Sequence, residues 1–206
     1  MAKDGGLGAL QIDAFRELVS IGSAKAATSL AQMTGQAIGI EVPMVRLVPV
    51  RDCVAALGGA ERVVRAIHQR MIGGLSGRVL LCFEKETSRY LTSLLLNPLF
   101  LGGEPTPEME RSALEEVSNI IIAGVVNVLS DLLGTSTFLS VPSQAEDSLA
   151  SMLDFVLSEA VMEGDNVLMV EARFTVAGRP VLGQLLLFPE AKNFQTFLDR
   201  LTASVG

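Results

Sequence analysis

Apolar residues recur along the first part of the chain with the period of a helix. Ile12, Phe15, Leu18, Val19, Leu30 and Met33 fall on one face of residues 11–34, and Gly35 stands where that helix must stop. The period then shortens to two. Ile38, Ile40, Val42, Val45, Leu47 and Val50 alternate around Pro43, which predicts an extended segment that Pro43 bends or confines to a sheet edge. A short helical connection over 52–65, a hairpin turning at Gly73-Gly74-Leu75-Ser76 and a helix over 85–96 complete a first pass. The same order then returns: a helix over 107–133, a strand ending near Val141 and Pro142, a helix over 144–159, strands over 167–176 and 181–188, and a last helix from Ala191. Between the passes, residues 97–106 hold Pro98, Gly102, Gly103 and Pro105, a composition that suits a boundary.

Sliding the chain by 99 residues lays 13–43 over 112–142 without a gap, and eight of the 31 positions are identical. They are Ala14/Ala113, Glu17/Glu116, Ile21/Ile120, Ala24/Ala123, Leu30/Leu129, Gly35/Gly134, Val42/Val141 and Pro43/Pro142. The later hairpins echo each other too, GRVLLCF from Gly77 against GQLLLF from Gly183. A shared glycine stop and a shared proline at constant offset point to an internal duplication. Two α-β-α-β-β-α repeats are therefore expected, at 11–97 and 107–206, within one mixed α/β domain spanning 1–206.

Composition narrows the possible partners. The chain is 49% apolar, enough for a sizeable core, and its formal charge of −7 with no cluster of Lys or Arg offers no footprint for nucleic acid or a membrane surface. The most apolar run, 120–134, is short for a spanning helix and reads as a buried core helix. No secretory signal is visible at the start, so a cytoplasmic location is expected. Cys53 and Cys82 match no zinc or redox spacing, and ordinary packed thiols are expected.

Polar residues interrupt the second long helix in one place. At about 100° per residue, Ser112, Glu116 and Asn119 fall within roughly 60° of one another and form a stripe. Taken alone, such a stripe is most simply a solvated helix face, although a mid-helix Asn invites a specific explanation. Ser112-x3-Glu116-x2-Asn119-x22-Pro142 resembles, without a gap, the complete signature of the CheC/CheX/FliY family, [Asp/Ser]-x3-Glu-x2-Asn-x22-Pro. Asp13-x3-Glu17-x2-Ser20-x22-Pro43 resembles it with one departure, Ser20 in place of Asn. The following IGSAKAATSL is similar to the family's NIGAGNAAT segment, with Lys25 replacing its Asn.

The resemblance implies a largely antiparallel sheet with the two signature helices side by side on one face. It also implies a phosphatase acting on the aspartyl phosphate of a CheY-like chemotaxis regulator, with no cofactor of its own and Mg²⁺ carried by the regulator. In that scheme Asn119 orients the attacking water, an amide offering both donor and acceptor. Glu116 pairs with the regulator's active-site lysine, and Ser112 and Pro142 support. Asp13, Glu17, Ser20 and Pro43 form a degenerate first site, because a serine hydroxyl is too short to orient the same water. The family also binds the deamidase CheD through a helix at 144–159, which makes Asp147 a candidate contact. A non-catalytic or weakly catalytic binding module for CheD or phospho-CheY is the alternative. A flagellar switch component is a further rival, since the FliM middle domain shares this fold. The intact Glu116/Asn119 pair, and a chain ending at Gly206 without a further domain, argue against it. His68 is the only histidine, so neither a Ser-His-Asp triad nor a histidine-rich metal site is available. The glycine-rich run at Gly73 lacks the Lys-Ser/Thr of a phosphate-binding loop and reads as a turn.

Overall fold

The computed structural model describes residues 8–96, 104–158, 166–176 and 178–203. Helix α1 (Ala9–Thr34) and helix α4 (Pro107–Leu133) both end on a glycine in the left-handed conformation, Gly35 at φ 68° and Gly134 at φ 64°. The glycine repeated at constant offset is thus the same helix stop used twice. The remaining elements are β1 (Ile38–Pro49), a 3-10 turn (Val50–Asp52), α2 (Cys53–Ala56), β2 (Val63–Gly73), β3 (Gly77–Glu84), α3 (Lys85–Leu96), β4 (Thr137–Leu139), β5 (Ser143–Ser148), α5 (Leu149–Ser158), β6 (Asn166–Val176), β7 (Arg179–Pro189) and α6 (Ala191–Ala203).

All strand pairs are antiparallel, in the order β1-β6-β7-β3-β2-β4, with β5 also on β2. Each half therefore gives its first strand to the other half's hairpin: β1 lies on β6, and β4 and β5 lie on β2. This exchange is consistent with an internal duplication.

Alternation along the strands feeds two cores. Ile67, Met71, Val79, Leu81, Val170, Phe174, Leu185 and Leu187 face α1, α3, α4 and α6. Ala66, Leu80, Cys82, Met169 and Leu186 face α2 and α5 on the other side. By length and composition α4 would suffice to cross a membrane. Here it is a core helix, with Leu114, Val117, Ile121, Ile122, Val125 and Leu129 all buried.

The two long helices meet at backbone distance. A Cβ placed on Gly22 would come within 2.5 Å of the Gly124 carbonyl oxygen, and one on Gly124 within 2.6 Å of the Gly22 carbonyl oxygen. No side chain separates the helices there, and Ala26 fills the space beside the contact.

Pro43 does both things expected of it. β1 is an edge strand, and its register slips between Glu41 and Met44, so that Val42 and Pro43 together face the single residue Ala172. The same break recurs 99 residues on. Leu139 pairs with Met71 and Ser143 with His68, leaving residues 140–142 opposite Gln69 and Arg70. The repeated Val-Pro pair marks a β-bulge in each edge strand.

Three expectations need correction. The helix over 52–65 shrinks to the 3-10 turn and α2, and β2 already begins at Val63. Residues 144–148 form strand β5, and only Leu149–Ser158 is helical. Ion pairs from Glu146 to Arg65 (2.9 Å) and Lys85 (2.6 Å) hold β5 to its neighbours and depress the Glu146 carboxyl pKa, the bond from Lys85 contributing most. The hairpin echo from Gly77 against Gly183 is two residues out of step, because the strand register makes Val79, not Gly77, the counterpart of Gly183. Of the expected boundary at 97–106, residues 97–103 lie outside the described residues, as does Glu159.

Two outcomes follow for stability and reactivity. Gly124→Ala should destabilise by about 1–3 kcal/mol in urea unfolding despite a helix-propensity gain of about 1 kcal/mol, because backbone atoms must move apart. Burial pushes the Cys53 thiol up to about 11, with Asp52 adding to it, and burial pushes Cys82 up to about 12 against a smaller opposing effect of Arg62. Both thiols should stay silent to a disulfide reagent at mildly alkaline pH and react once urea unfolds the chain.

Candidate active site

The N-terminus of α4 is built to be rigid. The Thr106 hydroxyl accepts a hydrogen bond from the Met109 N–H at 3.3 Å, Pro107 takes the first helical position, and Glu108 and Glu110 lie in the first turn, where the helix dipole favours them. Hydrogen bonds from its own backbone N–H and from Thr106 hold the Glu108 carboxyl below its usual range. Ser112, Glu116 and Asn119 follow within the next turns. Ser112 and Glu116 are exposed, and Asn119 is half-buried.

Asn119 is held from the sheet. Its Oδ1 accepts a hydrogen bond from Nε2 of Gln69 on β2 at 3.0 Å, and the same Nε2 donates to the Ser140 carbonyl at 2.8 Å. Ser140 in turn donates its N–H to the Arg70 carbonyl at 2.9 Å, while its hydroxyl accepts from the Arg70 N–H at 2.9 Å. The bulge at Pro142 thus releases the Ser140 carbonyl from the ladder and turns it to a side chain. It also turns Val141 outward, to 86% exposure, although its counterpart Val42 is only 8% exposed.

The first stripe shows the same gradient, Asp13 and Glu17 exposed and Ser20 half-buried. Two of its three polar groups are spent within the helix: Asp13 pairs with Arg16 at 2.9 Å, and the Ser20 hydroxyl donates to the Arg16 carbonyl at 2.8 Å. Asp147 does not lie on a helix. It sits on β5 opposite Val64, exposed, with its Oδ1 accepting from the Ser148 N–H at 2.6 Å. The expected helical contact surface at that residue is therefore absent.

Gln69 went unnoticed in the sequence because β2 reads as a strand of mixed polarity. A signal was present: Ile67, Gln69 and Met71 share one strand parity, and a polar residue between two inward apolar ones asks for a partner.

No protein-family model matches the chain. A search of characterised proteins finds the CheY-P phosphatase CheC of Bacillus subtilis, 28% identical over 202 residues and covering 95% of each chain. Over nearly its whole length the chain is similar to a CheC-type chemotaxis phosphatase. A CheC1 protein of Halobacterium salinarum is 24% identical over 193 residues, covering 93% of this chain and 96% of its own. Among solved structures, FliY of Thermotoga maritima superposes with a TM-score of 0.74 at 20% identity, over 96% of this chain and 98% of its own. The FliM middle domain of H. pylori gives 0.68 at 11% identity, over 94% and 99%. These two share the fold of this chain.

Because Ser112 and Glu116 are exposed on the helix, replacing either with Ala should shift stability by no more than about 0.5 kcal/mol. Urea midpoints within that margin, alongside any change in activity, would separate the stripe's chemistry from its contribution to folding.

Proposed function

We propose that the protein hydrolyses the aspartyl phosphate of a CheY-like response regulator and so ends its signal. The half-buried Asn119 amide, anchored at one end and open at the other, carries this reading. With Oδ1 accepting from Gln69, the Nδ2 hydrogens and the second Oδ1 lone pair are left for a water molecule. An acyl phosphate is already prone to hydrolysis, and the regulator brings its own Mg²⁺ as part of the substrate. The remaining task is to place a water in line with phosphorus, which is positioning and electrostatics rather than acid–base chemistry.

Glu116, exposed one turn before Asn119, docks the helix against the regulator's active-site lysine and sets the register of the amide. Ser112 lies one turn further back and supports the same face. Pro142 supports the site through the bulge that frees the Ser140 carbonyl. The reading includes a cytoplasmic location, where such regulators act. In the first half Glu17 keeps its docking position, but the Ser20 hydroxyl is turned onto its own helix, so Asp13, Glu17, Ser20 and Pro43 form a silent counterpart.

Release of inorganic phosphate from a phosphorylated receiver domain tests the assignment. Asn119→Ala should slow hydrolysis by roughly 10²-fold with receiver binding retained, whereas Glu116→Ala should weaken binding. Full activity in Asn119→Ala would remove Asn119 from the chemistry. No acceleration of any cognate receiver would leave a binding module in place of an enzyme. Ser20→Asn alone should add little activity, because no amide waits beneath it in the first half.

A further inference from the structure

We propose that Gln69 is a positioning residue of this site: its buried amide fixes which end of the Asn119 side chain meets solvent and ties it to the bulge at Ser140. The inference rests on the role proposed for Asn119 and extends it to a residue outside the signature.

The hydrogen-bond logic leaves one arrangement. The Ser140 backbone oxygen can only accept, so the Gln69 terminus facing it is the NH₂ group. That group has a second hydrogen, and the Asn119 atom that receives it must be Oδ1. Asn119 therefore presents its NH₂ outward in one orientation, where a free amide would sample two. Ordering a flexible side chain before substrate arrives lowers the entropy that the transition state must otherwise lose.

Gln69 is an improbable residue to bury for stability alone. It is 0% exposed, lies between the core residues Ile67 and Met71, and its Oε1 has no hydrogen-bond partner among the described residues. A leucine there would fill similar space and remove the orphaned Oε1, at the expense only of the hydrogen bonds to Ser140 and Asn119.

The other half of the molecule supplies an internal comparison. Ile40 faces Phe174 and Val45 faces Val170; 99 residues on, Leu139 faces Met71 and Gln144 faces Ile67. Met71 thus corresponds to Phe174 and Ile67 to Val170, which makes Ala172 the counterpart of Gln69. Ala172 has no amide, and the stripe above it has Ser20 rather than Asn. The buried amide occurs only beneath the stripe that carries the asparagine.

The experiment replaces Gln69 with Leu and, separately, with Met, and reads three quantities. Thermal unfolding should stay within a few degrees of the parent or rise. Phosphate release should lose about tenfold in kcat, the effect of one hydrogen bond, with KM for the phosphorylated receiver unchanged, and Gln69→Leu should cost nothing further in an Asn119→Ala background. The Asn119 side-chain NH₂ signals in an ¹⁵N NMR spectrum should be sharp and dispersed in the parent and collapse towards free-amide values in both variants. An equal kcat loss in the Asn119→Ala background, or Asn119 signals unmoved in both variants, overturns the proposal. If the parent fails to accelerate phosphate release, the phosphatase reading falls, while the NMR comparison still decides whether Gln69 orders Asn119.

Discussion

The contact between Gly22 and Gly124 sets how closely the two long helices lie side by side on the sheet. With backbone against backbone, no side chain holds the helices apart, and from α4 Asn119 reaches the strand residue Gln69. The two glycines are not counterparts across the repeat: 99 residues beyond Gly22 stands Ile121, and 99 before Gly124 stands Lys25. This close approach is thus an asymmetric contact between two halves that otherwise repeat each other.

The same scaffold carries two stripes with different fates. Each half has a glycine-stopped helix, a bulged edge strand and a glutamate at the same exposed position. The second half adds a long amide on the helix and another beneath it. The first half turns a short hydroxyl onto its own backbone and places Ala172 below. Burying Gln69 with one oxygen unpaired is a cost that packing does not demand. The fold tolerates it where the helix carries Asn119 and not where it carries Ser20.

Strong periodicity made most of the fold legible. The long helices, their glycine stops and the hairpin at Gly73 all follow from local pattern, because propensity, capping and burial agree there. Residues 144–148 do not follow: Gln144, Glu146 and Asp147 have little strand preference, and the apolar phase of Leu149, Met152, Leu153 and Val156 extends backwards into a false helical turn. That stretch is a strand because β2 offers an edge and because Arg65 and Lys85 clasp Glu146, partners distant in sequence. The site divided the same way. Ser112, Glu116 and Asn119 lie on one helix and can be read from spacing. Gln69 is 50 residues from Asn119, and only the sheet brings them together.

The exchange of first strands has a consequence during synthesis. Ile38 finds its partner in Val176, so β1 emerges long before the strand that completes it. At about 5–20 residues per second, the nascent β1 waits on the order of ten seconds with both edges open. An apolar strand in that position invites pairing with other chains. Pro43, which cannot donate to a ladder, together with Glu41 and Arg46 flanking the bulge, interrupts the template for that interval. The proline that shapes the bulge in the finished sheet thereby also guards the unfinished one.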